Sequence, residues 1–287
     1  SRSRRPERPP PTRMRVSAIF LSPVTSLRGC AVGRAAVDAL GFVGDRRFLV
    51  VDAGGRFLTQ RTLPRLALIA TALSPDALTL SAPGGAPLEV PRAAAAAPLR
   101  RVSVWQSDGL EAEDCGDEAA RWLGAFLGVA CRLVRIGPAY RRPILKPGRA
   151  RPGDEVSFAD AFPFLVLGES SLADLNDRLV AQGDDAVPMD RFRPNLVVTG
   201  GPPFAEDGWK RIRIGQVVLR AGGPCARCVV TTTDQLTADR GPEPLRLLAS
   251  YRRDPADSTK VNFGHNFIHE TKAGSIAVGD RVDLLPD

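Results

Sequence analysis

Two cysteines spaced C-x-x-C are the residues of this sequence with the most distinctive chemistry. Cys225 and Cys228 lie in the stretch GPCARCVVTTTDQLTADRGPEPLRLLASYR, residues 223–252. This spacing occurs in zinc sites, in redox-active dithiols and in sites where a thiolate binds a softer metal. Two ordinary core thiols would give the same pattern, so the surrounding sequence must decide between four interpretations.

Zinc and a redox dithiol both fit that surrounding sequence poorly. A structural zinc site needs two more ligands, and these would have to be His265 and His269, with 36 residues between Cys228 and the first of them. In a strand, positions i and i+4 lie about 13 Å apart, too far for one ion; both histidines are expected in a strand or at the surface. A redox C-x-x-C begins a helix, whereas residues 229–233 are β-branched and favour a strand. Core thiols and a single thiolate ligand for a soft metal remain open.

The elements that must position these cysteines are mostly short strands. Apolar and β-branched runs predict strands at residues 15–21, 48–52, 101–114, 195–200, 217–222, 228–233 and 274–285. One helix is predicted from Asp117, as its cap, to Gly128, as its stop, and another follows a capping box of Ser171 and Asp174. A third helix is opened by Pro242 and Pro244. We therefore expect an α+β, β-rich, barrel-like architecture with peripheral helices.

Two segments of biased composition suggest the domain boundaries. Residues 1–13 hold five Arg, one Glu and four Pro, so residues 1–14 are expected to be a disordered basic leader. Residues 137–154 are rich in proline and arginine and show no periodicity. They predict a linker between domains 15–136 and 155–287, either as a solvated connection or as a basic wall near an anionic ligand.

Composition excludes several functional classes. The net charge is +7, of which the leader carries +4, so the body is only weakly basic and a nucleic-acid partner is not expected. No run of 18 apolar residues predicts a membrane span. Five cysteines, an odd number, do not suggest a disulfide framework, and we expect a reducing, cytoplasmic compartment. The dinucleotide, Walker and H-E-x-x-H motifs do not occur, so NAD, ATP and zincin chemistry lack their usual support.

The C-x-x-C segment resembles the signature of the MOSC-domain family, in its amidoxime-reducing component branch. The resemblance extends over residues 16–285 and includes, in the family's order, SPVTSLRGCAV, GFVGDRRFLVVDAGGRFLTQRTLPRLALI, FADAFPFLVLGESSLADLNDRL and RFRPNLVVTG. It implies an N-terminal MOSC β-barrel-type domain followed by a MOSC β-barrel domain. It also implies a molybdenum–molybdopterin cofactor whose metal takes one protein thiolate, a soft ligand suited to molybdenum.

Carried over position by position, the resemblance assigns residues to this cofactor. Cys228 becomes the metal ligand, and Cys225 a neighbour. Arg227 beside Cys228 can favour the thiolate, unless strand alternation turns it away. The resemblance implies an acidic group near the metal, able to relay protons, at Asp160, and cofactor contacts at Arg61, Arg193 and Asn195. Thr25 stands where the family usually has a lysine, so Thr25 or Ser26 is expected to replace a charge contact by a hydrogen bond.

The implied activity is reduction of N-hydroxylated compounds, namely amidoximes, hydroxylamines and N-hydroxylated bases. No cysteine follows Cys228 to hold an iron–sulfur cluster, and no flavin or NAD motif occurs. We therefore expect a separate electron donor, by resemblance a cytochrome b5-type protein with its NADH-dependent cytochrome b5 reductase. Two alternatives remain open: a sulfur carrier with a persulfide on Cys228, and a protein that binds or stores the molybdenum cofactor.

Overall fold

The computed structural model describes residues 13–94 and 96–286, so most of the predicted leader lies outside the described residues. Its strands are β1 Arg15–Leu21, β2 Cys30–Val32, β3 Arg34–Asp38, β4 Gly41–Phe42, β5 Phe48–Val51, β6 Ala70–Leu73, β7 Ala77–Ser81, β8 Leu88–Pro91, β9 Leu99–Val104, β10 Ser107–Asp114, β11 Arg132–Arg135, β12 Phe164–Gly168, β13 Leu196–Thr199, β14 Arg211–Ile214, β15 Val217–Ala226, β16 Asn262–His269, β17 Ser275–Ala277 and β18 Val282–Leu284. Its helices are α1 Asp117–Leu127, α2 Glu169–Ala181 and α3 Leu245–Tyr251. Four 3₁₀ turns lie at Pro64–Leu68, Met189–Phe192, Ala205–Gly208 and Val229–Thr232.

The predicted strand-rich α+β class is confirmed, and its centre is one eight-stranded sheet. The order is β18-β14-β15-β16-β12-β13-β1-β2, antiparallel except for the parallel pair β12 and β13. Phe164 and Phe267 lie in one buried apolar cluster, whereas Leu167 packs in another with Leu175 and Leu179 of α2. Since the sheet is covered on both faces, its central strands β12, β13 and β16 are buried along most of their length.

The first half of the chain adds two further sheets and a helix. Strands β5-β11-β10-β9 form one sheet, and β6-β7-β8 form another. The helix α1 buries Ala119, Leu123 and Leu127 against this part of the molecule, as its apolar periodicity predicts. Strand β1 nevertheless pairs with β13, and β3 pairs with β17, so both halves of the chain share hydrogen-bonded sheets.

Both predicted helix caps differ in detail. Asp117 is the first residue of α1, and Gly116, with φ of 94°, occupies the cap position; Gly128 ends the helix in the left-handed region as expected. Helix α2 begins at Glu169, two residues before the predicted cap. The Ser171 hydroxyl bonds the buried carboxylate of Glu206 at 2.9 Å, so a partner distant in sequence replaces the capping box.

The β-branched run after Cys228 is a tight turn and not a strand. Residues Val229–Thr232 form a 3₁₀ turn, in which Thr231 Oγ1 donates to the Cys228 carbonyl at 3.0 Å and Thr232 Oγ1 donates to the Val229 carbonyl at 2.9 Å. Threonine hydroxyls can satisfy carbonyls three residues back, and here this local bonding outweighs β propensity.

The segment 137–154 is mostly exposed but is anchored by a few buried side chains. It buries Tyr140, Arg142 and Ile144, and Arg142 donates to the Ser157 carbonyl at 2.7 Å. One of its arginines, Arg142, thus supplies a donor for buried carbonyls, while Arg141, Arg149 and Arg151 are exposed. All five cysteines are free thiols. No helix among the described residues is long and apolar enough to cross a membrane.

Candidate functional site

The predicted site residues, which are scattered through the sequence, all line one cavity of about 500 Å³. This volume lies within the range of small-molecule and cofactor sites. The eight residues are Thr25, Ser26, Arg61, Asp160, Arg193, Asn195, Arg227 and Cys228. The cavity lies where the end of β15 meets β16 and loops from the first half of the chain, so only the folded chain brings them together.

Cys228 is placed by the transition from strand to turn. Strand β15 ends at Ala226, and Cys228 is the residue that precedes the 3₁₀ turn, with extended backbone angles. The side chain is half-buried, and within the described residues its thiol makes no hydrogen bond. It is therefore a thiol held on the cavity wall by its own backbone bonds and left available to a ligand.

The Arg227 side chain contacts the sulfur of Cys225 and not that of Cys228. Its Nη1 donates to the Cys225 sulfur at 2.9 Å, and its Nη2 donates to the Phe192 carbonyl at 2.7 Å. Residues i and i+2 of an extended chain share a face, which explains why Arg227 meets Cys225. The expectation that Arg227 stabilises a thiolate at its immediate neighbour Cys228 is therefore not supported by this geometry.

Arg193 presents an unpaired cationic group to the cavity. It follows the 3₁₀ turn Met189–Phe192 with φ of 55°, a left-handed conformation that is strained for arginine. Its Nη2 is enclosed and has no hydrogen-bond partner among the described residues; Arg227 Nε is in the same situation. Burial, together with the charge of Arg46, lowers the pKa of Arg193 to about 10, so the side chain still carries its charge at neutral pH.

The cavity as a whole is strongly basic. Seven basic and two acidic side chains line it, namely Arg46, Arg61, Lys146, Arg149, Arg193, Arg227 and Lys260 against Asp160 and Asp254. Enclosed donors without partners destabilise a protein unless a ligand satisfies them. The arrangement therefore suits an anionic ligand with several oxygen acceptors, such as a phosphate ester.

Two of the predicted contact residues, Thr25 and Asn195, use their side-chain polar groups in hydrogen bonds within the protein, whereas Ser26 is held only through its backbone carbonyl. Thr25 Oγ1 donates to the Phe158 carbonyl at 2.8 Å. Asn195 accepts from the Leu165 amide at 3.1 Å and donates to Asp45 at 3.0 Å. The Ser26 carbonyl accepts from Gln60 Nε2 at 2.8 Å. These residues line the cavity and also shape it.

Asp160 and Arg61 lie at the cavity wall in different environments. Asp160 is exposed, and within the described residues its carboxylate has no ion-pair or hydrogen-bond partner. Arg61 is also exposed, and its guanidinium lies 4.3 Å from the centre of the Trp105 ring. The Arg61 carbonyl accepts from Arg240 at 3.0 Å, which fixes its backbone to the second half of the chain.

Sequence reasoning missed several lining residues. Arg46 and Trp105 have φ of 50° and 55°, and four of the six described non-glycine residues with positive φ line this cavity: Ser26, Arg46, Trp105 and Arg193. Strained backbone conformations concentrate at functional sites, but they cannot be recognised from the amino-acid sequence. Lys146 and Arg149 belong to the segment 137–154 and line the cavity. Their position agrees with the second predicted role of this segment, a basic wall near an anionic ligand.

The two histidines lie outside the cavity. Both are on β16 as expected, but both are buried and not at the surface; His269 Nε2 lies 2.7 Å from the Asp38 carbonyl oxygen. Within residues 13–94 and 96–286, no group of three or more His, Cys, Asp or Glu side chains converges to hold a metal ion.

Comparison with known proteins places this chain in a family. Residues 13–130 match the MOSC N-terminal beta barrel domain, and residues 153–283 match the MOSC domain. The chain is 39% identical to mitochondrial amidoxime-reducing component 1 of Mus musculus and 38% identical to that of Homo sapiens, over 94% of this chain and 82% of each relative. It is also 31% identical to the molybdenum cofactor sulfurase of Danio rerio, over 92% of this chain but 33% of that protein. The chain therefore belongs to the MOSC-domain family and, within it, to the group of the mitochondrial amidoxime-reducing components.

Proposed function

We propose that this protein is a molybdenum cofactor-dependent reductase of N-hydroxylated compounds. The observation that carries the proposal is a thiol, Cys228, on the wall of a basic cavity that also contains enclosed, unpartnered guanidinium nitrogens. The relatives named above are amidoxime-reducing components and a molybdenum cofactor sulfurase, which supports a role connected with molybdenum.

The residues present fit a molybdenum–molybdopterin cofactor. A thiolate is a soft ligand, and Cys228 would supply it to the metal. Arg193 Nη2 and Arg227 Nε, both enclosed and without partners, would gain acceptors from the cofactor's phosphate. Arg61 and Arg46 would add positive charge at the same cavity. Asn195 would keep the cavity wall in place through its hydrogen bond to Asp45.

Reduction of an N–OH group to N–H consumes two electrons and two protons, breaks the N–O bond and releases one water. The bound cofactor supplies the redox chemistry of this step. The protein supplies position and protons: in this proposal the Asp160 carboxylate, which faces the cavity without a partner, relays protons to the departing oxygen.

The electrons come from a separate protein in this proposal. A cytochrome b5-type donor, reduced by an NADH-dependent cytochrome b5 reductase, is the partner that the resemblance implies. The excess of basic side chains around the cavity favours a donor with an acidic surface, because opposite charges accelerate encounter.

Metal and pterin analysis of the purified protein, followed by reduction of a model amidoxime, tests this function. About one molybdenum and one pterin per chain, with reduction when a donor is supplied, supports the reductase. A labile sulfane sulfur on Cys228 without molybdenum would instead indicate a sulfur carrier, which the similarity to a molybdenum cofactor sulfurase keeps as the second candidate. Bound cofactor without reductase activity would indicate storage.

A further inference from the structure

Trp105 lines the basic cavity in a conformation that is unfavourable for a large side chain. It is the first residue of the two-residue turn between β9 and β10, and its φ is 55°. Turns of this length favour glycine or asparagine at positive φ, and a bulky residue there is strained. The indole N–H is also enclosed, and it has no acceptor among the described residues. The hairpin by itself accounts for neither feature, and such features concentrate at functional sites.

The indole ring contacts two side chains. Phe57 lies beside it, with ring centroids 4.6 Å apart and planes tilted by 58°, and Phe57 itself packs against the buried cluster that contains Leu49 and Val51. The guanidinium carbon of Arg61 lies 4.3 Å from the centre of the indole ring. This distance is typical of a cation–π interaction, for which tryptophan is the best aromatic partner. The ring therefore connects the Arg61 head group to the apolar core.

This ring is the contact that restrains the Arg61 head group. The backbone of Arg61 is fixed independently, because its N–H donates to Thr59 Oγ1 at 3.1 Å and its carbonyl accepts from Arg240 at 3.0 Å. The guanidinium is exposed and makes no hydrogen bond or ion pair within the part of the chain that the structure describes. A long side chain without polar partners populates many rotamers, so stacking on the indole selects one direction among them.

Electrostatic repulsion alone would turn Arg61 away from the cavity. Six other basic side chains line the same cavity, against two acidic ones. An unrestrained guanidinium would therefore extend into solvent, where water and salt screen the repulsion. An aromatic ring attracts a cation without neutralising its charge, whereas a carboxylate in the same place would cancel it. Trp105 thus keeps Arg61 at the cavity wall and leaves its full positive charge for an anionic ligand.

We propose that Trp105 is a positioning residue for anion binding, whose indole ring orients the Arg61 guanidinium towards a phosphate ester in the basic cavity. That the natural ligand is the molybdopterin cofactor rests on the reductase function proposed above. Trp105 acts through Arg61, and the aromatic ring, not the indole N–H, is the group that matters.

Pyrophosphate binding to the full chain without cofactor tests this role. Calorimetry gives the dissociation constants of the parent and of the single variants. Arg61→Gln should weaken binding about tenfold, and Trp105→Leu about fivefold. Trp105→Tyr should stay within about twofold of the parent, because tyrosine also presents a π face. Leucine and tyrosine both carry a Cβ, so the backbone strain at this position is the same in the two variants.

Three results would overturn the positioning role: no pyrophosphate binding to the parent, no loss in Arg61→Gln, or a loss in Trp105→Tyr equal to that in Trp105→Leu. Circular dichroism checks that each variant is folded. If Trp105→Leu does not fold, Trp105→Met takes its place, because methionine fills more of the space and has no aromatic face.

A double variant shows whether Trp105 acts through Arg61. On the Arg61→Gln background, Trp105→Leu should cause no further loss, because glutamine has no charge for the ring to orient. A further fivefold loss there would refute the proposal. Phe126→Leu is the matched control: the Arg65 guanidinium lies 4.8 Å from the centre of the Phe126 ring, and neither residue lines the cavity. The control should bind pyrophosphate like the parent, and a loss equal to that of Trp105→Leu would contradict the assignment.

The outcomes separate this role from the proposed function. A chain that shows the coupling between Trp105 and Arg61 but contains no molybdenum when purified would refute the reductase and leave the positioning role in place. A molybdenum-containing reductase in which Trp105→Leu binds pyrophosphate as the parent does would refute only the positioning role.

Discussion

Asn195 donates from Nδ2 to the buried carboxylate of Asp45 at 3.0 Å, across 150 residues of sequence. The same carboxylate accepts from the Ser22 amide at 2.7 Å and from Arg46 Nη1 at 2.6 Å. Asp45 thereby connects Asn195, which precedes β13 of the large sheet, with two loops of the first half, beside the basic cavity. A residue that the family resemblance assigns to the cofactor is thus also a structural link between the halves of the site.

Asn195→Ala should lower the free energy of unfolding by about 2–4 kcal/mol, because it leaves a buried carboxylate with one donor fewer. Chemical denaturation of the apoprotein measures the change. Asn176→Ala is the control: its amide donates to the Val187 carbonyl at 3.1 Å and accepts from the Val187 amide at 2.9 Å, so both partners are neutral. The control should cost about 1–2 kcal/mol. Equal costs would show that the charge of Asp45 is not what matters.

Cys228→Ala should abolish bound molybdenum and amidoxime reduction while the protein stays folded, because the proposed metal ligand is lost. Cys225→Ala should retain both, since Cys225 bonds Arg227 and is not the proposed ligand. Elemental analysis and circular dichroism of the two purified variants provide the comparison. The reverse pattern would move the ligand to Cys225.

Arg193→Gly should lose the cofactor without loss of apoprotein stability. Glycine relieves the backbone strain at φ of 55° and removes an enclosed charge that has no partner among the described residues. We expect a free energy of unfolding within about 1 kcal/mol of the parent. Ala238→Gly tests strain alone, because Ala238 has φ of 65° but lies outside the cavity lining. If Arg193→Gly keeps its pterin, the phosphate contact is elsewhere.

Turnover driven by a cytochrome b5-type donor should be sensitive to salt. Raising the ionic strength from about 0.02 to 0.3 M should increase the donor's KM roughly tenfold, because the seven basic side chains around the cavity are then screened from an acidic partner. Reduction driven by a small uncharged chemical reductant should not change. Turnover with NADH and this chain alone would refute the need for a separate donor.

His265→Met should reduce the acid sensitivity of the fold. Burial lowers the pKa of His265 to about 4 from 6.5, so between those pH values the unfolded chain takes up a proton that the folded chain does not. The free energy of unfolding therefore falls as the pH drops from 6.5 to 4, by up to about 3 kcal/mol for this residue. Neither ring nitrogen has a hydrogen-bond partner among the described residues, so the variant should cost little at pH 7.

Urea denaturation at pH 7 and pH 4.5 measures this difference for the parent and the variant. His269, whose pKa burial also lowers to about 4, should retain its own contribution in the variant. An unchanged difference between the two pH values would show that His265 is not responsible for acid sensitivity.

Much of this protein is specified locally by its sequence. Apolar and β-branched runs predict β1 and most of β15, and Gly128 ends α1 as its freedom at positive φ predicts. Motifs in a fixed order identify the family, which its domain matches show independently. The same motifs named eight residues that do line one cavity, although their individual roles stay predictions.

The tertiary structure decided what depends on partners distant in the chain. β propensity did not predict that Val229–Thr232 would form a turn, and composition did not predict that Arg142 would be buried and bond the carbonyls of Ser157, Ala159 and Asp160. The sequence also did not predict that Arg227 would bond Cys225 or that Asn195 would bond Asp45. Sequence patterns reflect the conformational preferences of residues that are close together in the chain. A buried hydrogen-bond donor, by contrast, needs an acceptor, and only the folded chain brings a distant acceptor near it. That requirement determined the geometry of this site.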